Sequence, residues 1–133
     1  MKIATFNING IKARLPALLD WLSETMPDIA MLQEIKSVDE LFPREEIEAL
    51  GYQIHTHGMK GFNGVAILSK YPLEDIMRGL PGDSDDIQTR YIEATVITNK
   101  GPLRLCNLYL PNGNPTPGPK FDYKLKWMER LYE

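Results

Sequence analysis

The chain has 133 residues, 43% of them hydrophobic and 25% charged, the size of one domain with an ordinary globular composition. A net charge of −3 excludes a protein that coats nucleic acid by bulk charge, though not one that grips a few phosphates locally. A single cysteine, Cys106, excludes an internal disulfide framework and fits a reducing cytoplasm. No apolar run has the length of a membrane span or the form of a signal peptide, so no membrane partner is expected.

Residues 2–6 read as a short buried strand. Leu15, Leu18, Leu19 and Leu22 then follow the i, i+3, i+4, i+7 spacing of an amphipathic helix over 14–22, with Pro16 fitting its first turn. Met26-Pro27-Asp28 ends that helix, and 29–32 is a second apolar strand. A strand–helix–strand order with so long a crossover predicts parallel neighbours in an α/β sheet. Pro43 and Gly51 bracket a second helix over 43–50. Strands over 52–56 and 64–69 flank a polar, glycine-bearing loop, and Tyr71-Pro72 ends the second. A loop over 79–86 carries Gly82-Asp83-Ser84-Asp85-Asp86. Strands over 90–98 and 103–109 are joined by the turn Asn99-Lys100-Gly101-Pro102, and Cys106 within the second reads as a small buried hydrophobe. After a proline-rich loop over 111–119, residues 121–132 are helical, with Phe121, Leu125, Met128 and Tyr132 on one face. That helix runs to Glu133 without a capping residue, which predicts a chain cut in mid-pattern.

Two strand ends carry oxygen-bearing side chains. Thr5-Phe6-Asn7-Ile8-Asn9-Gly10 offers a carboxamide and Leu32-Gln33-Glu34-Ile35-Lys36 a carboxylate, at what parallel pairing makes one sheet edge. Hard divalent ions take such oxygens, with water and substrate phosphate completing the shell. Read alone, Glu34 is better taken as an exposed strand-end acid and Asn7 as a turn former. Lys36 lies two residues beyond Glu34 and projects to the same side of an extended segment. Arg90 opens an apolar strand, where a guanidinium suits a bidentate phosphate contact or a surface ion pair. Tyr109 closes a strand before a proline turn, the place of a rim aromatic. His55 and His57 share a strand face without a third ligand nearby, and read as ordinary strand-end residues. Phe62 suits either a wedge into DNA or loop packing. Lys120 and Lys124 share a helical face, near Lys126 and Arg130, which suits solvent or phosphate.

Five segments, in order, give the chain a family resemblance. They are Phe6-Asn7-Ile8-Asn9-Gly10-Ile11, the stretch 28–36 ending Gln33-Glu34-Ile35-Lys36, the stretch 61–69 (Gly61-Phe62-Asn63-Gly64-Val65 onward), Gln88-Thr89-Arg90, and Asn107-Leu108-Tyr109-Leu110-Pro111-Asn112-Gly113. Together they resemble the exonuclease III / apurinic-apyrimidinic (AP) endonuclease family of the exonuclease–endonuclease–phosphatase superfamily, over nearly the whole chain. The resemblance implies an α/β fold, half of a four-layer α/β/β/α sandwich, with one mixed sheet and helices on one face. Residues 1–133 would be the N-terminal half of such a domain, truncated.

It further implies a DNA repair nuclease using Mg²⁺ (or Mn²⁺) to hydrolyse phosphodiesters, cutting 5′ to abasic sites and trimming 3′ ends of double-stranded DNA. By resemblance, Glu34 would bind the metal with Asn7 beside it, and Tyr109 would act catalytically on the scissile phosphate. Lys36, Arg90 and Asn112 would position phosphate, and Asn9 and Lys12 would approach the DNA backbone. The family's Gly-Asp-x-Asn and Ser-Asp-His segments do not occur here, and with them goes the base that activates water. The expected partner is therefore the missing C-terminal half. Alone, the chain is expected to be inactive and to self-associate through an uncovered sheet face. The alternatives are a non-catalytic DNA- or protein-binding half-domain and a phosphatase of the same superfamily.

Overall fold

In a computed structural model, which describes residues 1–132, alternation of apolar side chains builds two sheets rather than two separate units. The elements are β1 (Ile3–Asn7), α1 (Ile11–Thr25), β2 (Ile29–Gln33), α2 (Arg44–Glu48), β3 (Gln53–His57), β4 (Val65–Ser69), β5 (Leu73–Arg78), β6 (Tyr91–Thr98), β7 (Gly101–Leu108) and α3 (Pro119–Tyr132). The first sheet has the order β1-β2-β4-β3, with β1 and β2 parallel and the other pairs antiparallel. The expected α/β class and mixed sheet are both present. The chain also contributes a second, antiparallel sheet, β5-β6-β7, to the neighbouring layer.

The strands β2 and β4 explain how the layers stack. On β4, Ala66 and Leu68 face α1, while Val65 and Ile67 face the second sheet, so both faces are buried and the strand reads as one apolar run. The outer core joins Ile11, Leu18 and Leu22 of α1 to Ala30, Leu32, Ala66 and Leu68. The inner core joins Ile29, Val65 and Ile67 to Ile92, Ala94 and Val96 of β6. Across this interface β5 and β6 lie on β3, β6 and β7 on β4, and β7 on β2.

The four-stranded sheet is one strand wider than its partner, and β1 is the strand left over. The strand is expected to be buried, yet Ile3 and Phe6 are 40% and 43% exposed: no strand beyond β7 covers Ile3 on the inner face, and on the outer face Phe6 is only partly covered by Trp21 of α1. Both β1 and β7 are open sheet edges. The same openness corrects the reading of Cys106, which lies exposed on β7 with its Sγ accepting from the Tyr91 hydroxyl at 3.2 Å.

Other local expectations shift. The helix α1 begins a turn early, which places Pro16 inside it rather than in its first turn. The strand β5 escapes sequence reading because Glu74 and Asp75 break its alternation around a register shift, with Asp75 at φ +50°. On α3, Trp127 is the buried residue, while Leu125 and Met128 of the apolar stripe stay exposed. Arg130, grouped by sequence with the free basic residues, is instead locked to Asp86 at 2.7 Å in a half-buried ion pair.

Candidate active site

The segments leaving β1 and β2 run side by side past the ends of the strands. The N–H groups of Ile8, Gly10 and Ile11 donate to the carbonyls of Gln33, Glu34 and Ile35 at 2.8–2.9 Å. On the other flank, Ile35 and Lys36 donate to Gly64 and Asn63. Gly64, at φ +95°, is pressed against this segment, and a Cβ there would lie 2.4 Å from Ile35 Cγ1. Asn9, Glu34 and Lys36 all adopt left-handed backbone, with φ of 49°, 55° and 52°. Non-glycine residues in this region cost energy and concentrate where a site over-determines the backbone.

That backbone re-aims Glu34. In a regular strand it would follow Ala30 and Leu32 toward α1. Instead the Tyr109 hydroxyl donates a short hydrogen bond to Glu34 Oε1, from a residue packed on the inner core. Lys36 Nζ lies 3.8 Å from Glu34 Oε2 and donates to Asn9 Oδ1 at 2.6 Å. The Asn9 N–H in turn donates to Asn7 Oδ1 at 3.2 Å. Five of the expected residues thus form one connected group across both sheets.

A buried amide pins this group, and the sequence reading did not single it out. Asn107 Nδ2 donates to the carbonyls of Leu32 and Ala66 at 2.9 and 2.8 Å, and its Oδ1 accepts from Gln33 Nε2 at 2.7 Å. Gln33 also donates to Thr5 Oγ1 at 2.8 Å. Asn7 lies two residues beyond Thr5, and Tyr109 two beyond Asn107, so each steps from this clip toward the same end of the sandwich. The spacing Asn107-x-Tyr109 on one strand face was the available signal.

Arg90 sits beside the group. Its guanidinium carbon lies 5.0 Å from the Tyr109 ring centre and 5.6 Å from that of Tyr123, with Nη1 donating to the Tyr109 carbonyl and Nε to Gln88 Oε1. Arg90, Asn112, Lys120 and Tyr123 line a cavity of about 330 Å³. Lys12 is exposed on the first turn of α1, and among the described residues no hydrogen bond or ion pair ties it to the others. Phe62 is 70% exposed and so does not pack the loop. His55 and His57 stay apart from the group, and burial lowers the pKa of both.

Burial raises the pKa of the Tyr109 hydroxyl, and its hydrogen bond to Glu34 adds to this, against the pull of Arg90. Among the described residues, no three His, Cys, Asp or Glu side chains converge on a metal position. The donor set offered at the sheet end is one carboxylate and one carboxamide oxygen. That is a partial, all-oxygen set, and it fits an ion such as Mg²⁺, which keeps water and substrate oxygens in its shell.

The profile of the Endonuclease/Exonuclease/phosphatase family matches residues 4–133. The chain belongs to this family. It is 46% identical over 113 residues to the exodeoxyribonuclease III of Haemophilus influenzae, a match covering 85% of this chain and 42% of that protein. Its fold superposes on an AP endonuclease from Archaeoglobus fulgidus with a TM-score of 0.91 at 40% identity, covering 99% of this chain and 49% of the other. It superposes equally well on a Neisseria 3′ phosphatase solved with a product DNA hairpin, with a TM-score of 0.92 at 40% identity over 98% and 49% of the two chains. The chain therefore spans about half the length of the relatives it matches, and the resemblance to exonuclease III and AP endonucleases read from its motifs holds. Among the described residues no helix is long and apolar enough to cross a membrane.

Proposed function

We propose that residues 1–133 are the N-terminal half of a divalent-metal-dependent DNA repair nuclease, acting at 3′ ends and abasic sites of double-stranded DNA. The observation that carries this reading is the Tyr109–Glu34 contact between the two sheets, with Lys36, Asn9 and Asn7 linked behind it. Glu34 and Asn7 would hold Mg²⁺ or Mn²⁺. A bound ion of this kind polarises phosphate oxygens and offsets the charge that develops on them.

The chain's own groups do the rest of the positioning. Tyr109 keeps its proton at neutral pH, since its pKa lies above the ordinary tyrosine value, and so presents an O–H to a phosphate oxygen. Arg90 offers a planar fork to the same phosphate, stacked between Tyr109 and Tyr123. Asn112 adds a donor from the cavity wall. Lys36 sets the Glu34 carboxylate while holding Asn9, and Lys12 meets the DNA backbone as a point charge without a fixed contact.

The water-activating base is not within this chain, so by itself it binds metal and DNA without cutting. Its natural complement is the remaining half of the fold, which would cover Ile3, Phe6 and Leu103 at the open edges of β1 and β7. Without that half, a second copy pairs there. The lone cysteine fits a cytoplasmic protein.

The test is Mn²⁺ binding to the chain by electron paramagnetic resonance. Glu34→Gln is expected to weaken binding at least tenfold, and equal affinity in the two proteins overturns the metal assignment. Duplexes bearing an abasic site, a recessed 3′ end or a 3′ phosphate, given to the complete gene product, separate the nuclease reading from the phosphatase reading that the Neisseria structure supports.

A further inference from the structure

A second cavity, of about 230 Å³, opens where the loop after β5 meets α3 and the end of β3. His57, Arg78, Gln88, Arg90, Trp127 and Arg130 line it. At a share of about 30 Å³ per liquid water, it holds a phosphate-sized group with several waters.

Charge pairing around the cavity is incomplete. Asp86 is fully engaged, accepting from Arg130 Nη1 at 2.7 Å, Tyr123 Oη at 2.8 Å and the Gln88 N–H at 3.0 Å. Burial alone would raise its pKa, but these bonds hold it below the ordinary carboxylate value. Arg130 spends its other N–H groups on the carbonyls of Leu80 and Pro81. That pair therefore forms a closed wall. Asp83 also borders the cavity, but it is exposed and its Oδ1 caps the Asp85 N–H.

Arg78 and Arg90 have no carboxylate partner among the described residues. Arg78 uses one donor, Nε, on the Thr56 carbonyl at 2.7 Å. Arg78 is exposed and Arg90 half-buried, so an anion entering the cavity meets donors of both guanidinium groups. The charge of Arg78 is felt at His57, whose pKa falls through burial and then Arg78, against an opposing pull from Asp39. The neutral imidazole still offers an N–H.

We propose that this cavity is an oxyanion site for a tetrahedral phosphate group, held by Arg78 and Arg90 and flanked by Gln88 and His57. It shares Arg90 with the nuclease reading, on which it rests at that residue, but adds Arg78 and His57 and does not call on the Glu34 carboxylate, so it extends that reading to a second phosphate. The same chemistry would serve a phosphate of a bound DNA strand or free inorganic phosphate.

Trp127 in the cavity wall provides the readout. The chain has two tryptophans, and Trp21 stacks on Phe6 of β1 instead, so Trp21→Phe leaves Trp127 as the only indole reporter. Inorganic phosphate, titrated at constant ionic strength, is expected to change Trp127 emission saturably. Arg78→Gln should raise the half-saturating concentration at least tenfold. Arg78→Lys keeps the charge but not the fork, should raise it several-fold, and decides the matter if the glutamine variant fails to fold. Glu34→Gln should leave the response in place. Three outcomes each overturn the proposal: no saturable response, a response indifferent to the Arg78 variants that fold, or a response lost with Glu34→Gln. Competition by a short duplex assigns the site to a DNA phosphate, and lack of competition assigns it to free phosphate; both support it.

Discussion

Replacing Asn107 by leucine tests how the two sheets are held in register at the candidate site. Leucine has similar bulk, so the change removes hydrogen bonds with little loss of packing. Three bonds disappear, at 2.9, 2.8 and 2.7 Å. Gln33 retains Thr5 Oγ1 and the Met31 carbonyl as partners, but the Leu32 and Ala66 carbonyls lose their side-chain donor. At a net of about 1 kcal/mol per bond, Asn107→Leu should cost about 3 kcal/mol. That is a large part of the 5–15 kcal/mol expected of a whole domain. Urea unfolding should show a lower midpoint with an unchanged slope. The same variant should weaken Mn²⁺ binding, since Tyr109 lies two residues from Asn107 and Glu34 next to Gln33. A loss of stability below about 1 kcal/mol would refute the account of Asn107 as the clip between the sheets.

Arg130→Met leaves the half-buried Asp86 carboxylate without its cation and should cost about 2 kcal/mol, read by the same urea titration. Because the folded-state pKa of Asp86 is depressed, its stabilisation is present above the unfolded value of about 3.9 and fades as the pH falls through the lower folded value. Between pH 6 and pH 3 the parent chain should therefore lose more stability than Asp86→Asn does. Arg90→Ala should lower the salt slope of DNA binding by about 1, measured by fluorescence anisotropy at several salt concentrations, and an unchanged slope removes Arg90 from the phosphate contacts. In the complete gene product, Tyr109→Phe should reduce kcat by about 100-fold or more with the protein still folded, and near-normal turnover would exclude Tyr109 from proton donation.

By itself the sequence determined the α/β class, the parallel β1–β2 pair, the β6–β7 hairpin and the loop ends that carry Asn7, Glu34 and Tyr109. These follow from local pattern: apolar runs, turn residues and polar side chains at strand ends, all set within a few positions of one another. It left Glu34 and Asn7 ambiguous because a carboxylate and an amide at strand ends look alike whether or not they share a site. Tertiary structure brings Tyr109, 75 residues away in the chain, onto Glu34 through a left-handed turn that strand alternation does not predict. It also decided which polar residues are structural. Asn107 and Arg130 become a buried clip and a half-buried ion pair only when β7 crosses β2 and α3 docks on the loop after β5. In the other direction, the exposure of β1 and Cys106 arises because one sheet has four strands and the other three, a mismatch that pairing between distant strands sets and no local pattern records.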